Sequence, residues 1–430
     1  MNIQKCERED ILREEKEVYM KVLMLRPSYL PEISGGTHLA VDLVEDMISK
    51  GIEVILIVPS PHRVNEEVKN EYKNLKIEKK YDGKLTIYRI DSSISEKNLF
   101  FRAFRMYLLT QGMFIRALKE KNIDLIMSHS MPPLLGPISI ILSKIKSAKV
   151  LYWEQDILSE SLISTGIAAK GLKKILMYNF AKLLEKTSSV GSNQIITISE
   201  QFRQRQFLLG KPKERVDVVY NWIDVNQLKP VPRNENIMFE RYNLDRNAFY
   251  ITYCGNLGMP QNVEILIDAA KELQHIPDLK FLIFGGGVRK KIIEDYIKKS
   301  RTDNIRLLPL QPLEEASHVY SVGEVGIVLG RKGTSKNGFP SKTWSIMTAE
   351  QAIISCFDVD SELSGFVVKG ECGISLPPDN HVALKEAILE LYNDKSYAKK
   401  LGINAREFVS NNFSRKVATD KIINIAKELV

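Results

Sequence analysis

From residue 21 onward the chain alternates short runs of Val, Ile and Leu with amphipathic segments. The apolar runs at 21–25, 52–59, 85–90, 123–128, 150–153 and 194–199 predict strands, and the helical period over 37–50 predicts the first helix. Because the runs are apolar at consecutive positions, both faces of each strand must be buried. That favours a parallel sheet covered by helices on its two sides. The pattern lapses over 226–240, a polar stretch holding Pro230 and Pro232. It then resumes with strands at 249–254, 280–284, 304–308, 325–329 and 352–356, and helices at 262–274, 288–299, 313–321 and 341–348. The expectation is an α/β fold of two Rossmann-like, doubly wound parallel-sheet domains, over 20–228 and 236–413.

In such sheets ligands bind at the carboxyl ends of strands, so the loops there carry the candidate chemistry. The run 249–254 leads into Gly255-Asn256-Leu257-Gly258. The run 280–284 ends in Gly285-Gly286-Gly287, with Arg289 and Lys290 at a helix start. The first domain offers Ser34-Gly35-Gly36-Thr37-His38, and the run 325–329 is followed by Asn337-Gly338-Phe339-Pro340-Ser341-Lys342. Glycine lets a backbone turn sharply and approach a ligand, and a helix start with a nearby lysine suits a phosphate. Any one of these loops is compatible with an ordinary turn, and Ser341 with an ordinary N-cap. Together they favour a nucleotide or nucleotide-sugar site. None has P-loop or G-x-G-x-x-G spacing.

Composition narrows the setting. The 430 residues include 44% hydrophobic and 27% charged residues, a globular balance with material for two cores. A net charge of +8 is too mild to argue for nucleic acid, but suits anionic ligands or an anionic membrane face. Cys6, Cys254, Cys356 and Cys372 lack metal-ligand or redox spacing, which suggests buried thiols in a reducing compartment and no metal site. The charged first 19 residues do not read as a signal peptide, and no apolar run reaches the ~18 residues of a membrane span. A cytoplasmic, soluble or peripheral protein is expected. Residues 98–119 contain no acidic residue and interleave Arg102, Arg105, Arg116 and Lys119 with Phe100, Phe101, Phe104, Tyr107 and Phe114. This reads either as an interfacial helix or as a core helix with snorkelling arginines.

The motifs also carry a family resemblance. Tyr-Cys-Gly-Asn-Leu-Gly at 253–258, Ile-Phe-Gly-Gly-Gly at 283–287 and Phe-Pro-Ser-Lys-Thr-Trp-Ser-Ile-Met at 339–347, with Asp358 and Ser361-Glu362 behind, are similar to retaining glycosyltransferases of family four. Ser-His-Ser-Met-Pro-Pro-Leu at 128–134 and Glu-Gln-Asp-Ile-Leu-Ser-Glu-Ser-Leu at 154–162 resemble a bacterial surface-polysaccharide branch of that family. The resemblance implies the GT-B fold, with two domains facing a cleft and the helix at 414–430 packing back on the first. It further implies transfer of a sugar, with retention, from a nucleotide-diphospho-sugar (a substrate, uridine-linked) and no metal or other cofactor. The acceptor would be a polyprenyl-linked saccharide at the inner face of the membrane.

By resemblance, the donor would meet Gly36, Gly255, Asn256, Gly258, Gly286, Arg289, Ser341, Lys342, Ser345 and Glu362. His129 would contact the donor sugar, and Lys342 would neutralise the leaving diphosphate. Asp156 and Glu160 would hold the acceptor side. The chain departs from the family in having Met259-Pro260-Gln261 where a Lys or Arg is common. It also has Asn337 and Ser345 where a glutamate pair is common, which leaves the ribose contact unassigned, with Glu362 as a substitute. Asp358-Val359-Asp360 resembles the metal motif of an unrelated transferase fold and is read as coincidence. Two other functions stay open: a nucleotide-sugar epimerase of the same fold, and a non-catalytic nucleotide-sugar-binding scaffold.

Overall fold

The computed structural model describes residues 20–33, 35–91, 99–160, 172–337 and 339–430. Ser34, Asn98, Ser161, Leu162 and Gly338, along with the side chains of Phe100 and Asn337, lie outside what is described. The chain divides into two compact units, Met1–Val219 with Thr419–Val430, and Tyr220–Ala418. Each is a Rossmann-like parallel α/β layer structure.

The first unit has eight strands in the order β3-β4-β2-β1-β5-β6-β7-β8. They are β1 (Lys21–Leu25), β2 (Glu53–Pro59), β3 (Ile77–Lys80), β4 (Leu85–Ile90), β5 (Leu125–His129), β6 (Lys149–Glu154), β7 (Gln194–Thr197) and β8 (Val216–Val218). All neighbours pair parallel except β3, which lies antiparallel on β4 at the sheet edge. A turn through Tyr81, Asp82 and Gly83, all at positive φ, makes that hairpin. Because β3 is mostly exposed and carries Glu78, Lys79 and Lys80, its sequence shows no apolar run. The alternate residues Leu23, Leu25, Ile55, Ile57 and Ile126 form one core cluster with Met113, Leu135, Ile138 and Leu142 from helices. The helix Thr37–Ser49 buries Leu39, Ala40, Leu43, Val44 and Met47, the spacing of one helical stripe. Within this unit the terminal segment is held by Thr419 Oγ1 donating to Asp46 (2.7 Å) and Lys421 Nζ donating to the Val218 carbonyl (3.0 Å).

The second unit has six parallel strands in the order β11-β10-β9-β12-β13-β14. They are β9 (Phe249–Asn256), β10 (Leu279–Gly286), β11 (Ile305–Leu308), β12 (Val325–Leu329), β13 (Ala352–Cys356) and β14 (Gly373–Leu376). Odd-numbered Phe249, Ile251 and Tyr253 enter one core cluster, while Tyr250 and Cys254 enter another. Period-two alternation therefore feeds both faces of the sheet, which explains the uninterrupted apolar run. An aromatic cluster anchors the helix Lys342–Thr348: Trp344 stacks on Phe413 (4.1 Å) and on Phe339 (4.5 Å).

Candidate functional site

In the second unit the glycine turns are the ends of the strands themselves. Gly285 pairs with Gly255 and Gly286 with Asn256, so β9 and β10 finish side by side. Gly255 and Gly287 have φ of +131° and +141°, a region that penalises any side chain. A Cβ on Gly287 would lie 2.4 Å from Asn256 Oδ1 and 2.8 Å from the Leu257 carbonyl. Leu257 N donates to Gly286 O (2.8 Å) and Arg289 N to Leu257 O (3.0 Å), which locks the two turns together. Gly258 N donates to the side-chain oxygen of Gln261 at 3.2 Å, so this N–H is engaged within its own loop. Asn256 is exposed.

Lys342 enters this region from the first turn of its helix. Its stem reaches the surface in part, but its Nζ is buried and has no hydrogen-bond partner among the described residues. The ammonium stands 3.8 Å from the centre of the Tyr253 ring. A Cβ on Gly255 would touch Lys342 Cε and Nζ at 3.4 Å, so the lysine lies against the strand end. Burial lowers its pKa to about 7, against a smaller opposing effect of Cys254. The ring face favours the charged form. Tyr253 donates its hydroxyl to Asn256 O at 2.8 Å, bracing the same turn.

Ser341 precedes the helix in a helical conformation, is exposed, and makes no capping bond, so the ordinary N-cap reading does not describe it. Arg289, expected at the donor, is paired with Glu264 and reaches the Gln261 carbonyl at 3.4 Å. Ser345 faces the Tyr320 phenol. Glu362 opens the helix Glu362–Lys369 and accepts a 2.6 Å hydrogen bond from the Tyr220 hydroxyl. Asp358 does structural work: its carboxylate accepts from Gly333 N (2.8 Å) and Ser335 N (3.0 Å), holding the loop that leads to Lys342.

In the first unit, His129 is the last residue of β5 rather than part of the following loop, and it is buried. Its Nδ1 accepts from Met131 N at 3.0 Å, which assigns the ring proton of the neutral form to Nε2. Burial, then the nearby Arg26, hold it well below the usual histidine range, so it is neutral at physiological pH. Gly36 caps the helix Thr37–Ser49 without a side chain and accepts from Arg26 Nη2 at 3.2 Å. Asp156 is exposed at the end of β6, where its N–H and that of Gln155 donate to Ser130 Oγ, each at 3.1 Å. Glu160 is exposed and lies 3.5 Å from Arg205, which also meets Glu154 and Glu185. Burial pushes Glu154 up to about 7.

The fold thus brings Gly255, Asn256, Gly258, Gly286, Arg289 and Lys342 to adjoining strand ends of one unit, and Gly36 and His129 to those of the other. Sequence reasoning missed Tyr253 and Arg26. An arginine directly after the apolar run Val22–Leu25 was the available signal for the latter.

Two family models match the chain: Glycosyltransferase Family 4 over residues 33–227 and Glycosyl transferases group 1 over residues 234–408. Among curated relatives, WcaI of Escherichia coli, named for colanic acid biosynthesis, is 24% identical over 76% of this chain and 81% of its own. WbjE of Pseudomonas aeruginosa, named as a glycosyltransferase, is 22% identical over 76% of this chain and 79% of its own. Among solved structures, Anabaena HepE in complex with UDP superposes with a TM-score of 0.69 at 15% identity, covering 95% of this chain and 100% of that one. At that identity the likeness is one of fold.

Proposed function

The chain is a glycosyltransferase of family four with the GT-B fold, and from that premise we propose that it transfers a sugar, with retention, from a uridine-diphospho-sugar to a lipid-linked saccharide during surface-polysaccharide assembly. The observation that carries the donor assignment is the Lys342 ammonium, buried against Gly255 with no hydrogen-bond partner among the described residues. An unpaired buried cation is costly, and a diphosphate would supply the missing charge. The polysaccharide setting is supported by the name of WcaI, and the uridine nucleotide by the complex of HepE with UDP.

In this reading Lys342 and the backbone N–H groups of the glycine turns stabilise charge that develops on the leaving diphosphate. Gly258 N–H must exchange its bond to Gln261 for one to phosphate. Front-face attack needs no strong enzyme base, because the departing phosphate oxygen accepts the acceptor's proton. His129, neutral with its proton on Nε2, donates a hydrogen bond to a sugar hydroxyl. Asp156 and Glu160 are exposed carboxylates suited to acceptor hydroxyls. No metal enters the scheme, and transfer is expected to persist in EDTA.

Peripheral membrane contact belongs to the same proposal. No described helix is long and apolar enough to cross a membrane. The helix Leu99–Leu118 exposes Phe101, Phe104, Tyr107, Leu108 and Ile115 beside Arg102, while Arg105 is buried and Arg116 lies over the Tyr88 ring at 3.6 Å. The helix Leu172–Gly191 adds exposed Ile175, Leu176, Phe180 and Leu183 beside Lys182 and Lys186. Apolar and cationic groups together favour an anionic lipid surface.

Thermal unfolding with and without UDP tests the central claim. A rise in Tm that saturates with UDP is expected. No rise at any concentration up to the millimolar range would remove the donor site.

A further inference from the structure

One wholly buried residue of the second unit touches both parts of the donor site. Tyr253 pairs with Ile283 across β9 and β10 and is 0% exposed. Its ring lies 3.8 Å from the Lys342 ammonium, and its hydroxyl donates to Asn256 O at 2.8 Å. Gly255, between the two, leaves the lysine its place, since a Cβ there would touch Lys342 Cε and Nζ at 3.4 Å. Tyr253 belongs to a core cluster whose other described buried members, Ile251, Leu257, Phe281 and Ile283 among them, carry no hydroxyl. Packing alone would be served by a phenylalanine at this position.

The two contacts differ in chemistry. A buried ammonium needs a partner. A carboxylate would supply one, but it would cancel the charge and occupy the N–H donors that a diphosphate has to meet. The face of a neutral ring attracts the cation through its quadrupole and leaves the full positive charge in place. The other titratable group acting on this ammonium, Cys254, is kept neutral by burial, which pushes its thiol up to about 12. Burial also raises the phenols of Tyr253 and its neighbour Tyr320, so all three stay neutral at physiological pH. The hydroxyl bond then joins the ring to the turn whose N–H groups the donor reading uses.

We infer that Tyr253 is a positioning residue of the donor site: its ring holds the Lys342 ammonium where a counter-ion would otherwise stand, and its hydroxyl ties the Asn256 turn to that cation. The inference rests on the donor reading above and extends it to a residue that does not itself reach the donor. Cation and turn are set before the diphosphate arrives, which spares binding the cost of arranging them.

The test is calorimetric titration of the full chain with UDP, in buffers of different ionisation enthalpy and across a range of pH. It compares wild type, Tyr253→Phe, and a protein with pentafluorophenylalanine in place of Tyr253, which keeps the shape of the ring and reverses its quadrupole. In wild type, proton uptake with UDP should reach half its maximum where the free lysine titrates, at about pH 7. Tyr253→Phe should keep that midpoint, because the ring remains. It should bind UDP about fivefold more weakly at every pH, because the turn loses its tie. The fluorinated ring should move the midpoint down by at least about 0.7 pH unit relative to Tyr253→Phe. Its UDP affinity should be lower than that of Tyr253→Phe by about fivefold at about pH 8, where the free lysine is neutral and only the bound state needs the ring. At about pH 5.5, where the lysine is charged in both states, the two should be nearly level. A lowered ligand-free Tm with midpoint and affinity unmoved would make Tyr253 an ordinary core residue and overturn the inference. So would an unmoved midpoint with the fluorinated ring, or full UDP affinity in Tyr253→Phe. Failure of UDP to bind wild type, or binding without proton uptake, would instead refute the donor reading itself, a separate outcome.

Discussion

Replacing Lys342 with methionine keeps the length of the stem and removes the charge, so it isolates what the buried ammonium does. Burial lowers its pKa from 10.5 to about 7. The folded pKa lies below the unfolded one, so between those values the unfolded chain binds the extra proton. Stability therefore rises with pH across that window, and the penalty is present in full below about pH 7. A shift of this size costs the empty fold on the order of 4 kcal/mol at about pH 7, of which the Tyr253 ring returns roughly 1 kcal/mol. Lys342→Met should accordingly be more stable than wild type by a few kcal/mol near about pH 7 and nearly equal to it above about pH 10. A bound diphosphate restores the charged form. At about pH 8, above the second ionisation of a phosphate near 6, UDP binding should then take up roughly 0.9 proton per ligand. Titration calorimetry in two buffers of different ionisation enthalpy measures that number directly. Lys342→Met should bind UDP at least about tenfold more weakly and take up no proton. UDP binding by wild type without proton uptake, or equal UDP affinity in the variant, would refute the assignment.

Three further outcomes follow from other parts of the structure. Gly287→Ala forces a side chain into a positive-φ position against Asn256 and Leu257; a loss of about 1–3 kcal/mol in urea unfolding is expected, with weaker UDP binding. Asp358→Ala strips acceptors from Gly333 N and Ser335 N and should raise the donor KM more than it lowers kcat, at a stability cost of about 1–3 kcal/mol. Glu154, pushed up to about 7 by burial, holds its proton more tightly when folded, so its contribution is favourable below its unfolded pKa and is lost as pH rises towards 7. Glu154→Gln should therefore stabilise by about 3 kcal/mol at about pH 8 and by little at about pH 4, read from thermal melts.

Much of the architecture was legible from local pattern. The run at 249–254 feeds both faces of the sheet through Phe249, Ile251 and Tyr253 on one side and Tyr250 and Cys254 on the other. Such a strand has to be apolar throughout, and the sequence displays that directly. The strands β3, β8 and β14 were not legible. β3 is an exposed edge, β8 is three residues long, and β14 is only half-buried, so burial left little mark on their composition. The glycine turns were also readable, because a positive φ at Gly255 and Gly287 constrains residue type at a single position.

What the sequence alone determined, then, was the parallel α/β order and the strand ends where a ligand would bind. Periodicity and backbone sterics are properties of neighbours along the chain. Only the tertiary structure decided which cations remain unpaired. Arg289 and Lys342 both follow glycine-bearing turns, yet Arg289 is matched by Glu264 from another element, while among the described residues Lys342 meets an aromatic face and no carboxylate. The fold encloses Arg26 between Gly36 and Trp153 with no counter-charge among the described residues. Pairing and desolvation depend on groups far apart in sequence, so charge at a site is fixed by packing rather than by motif.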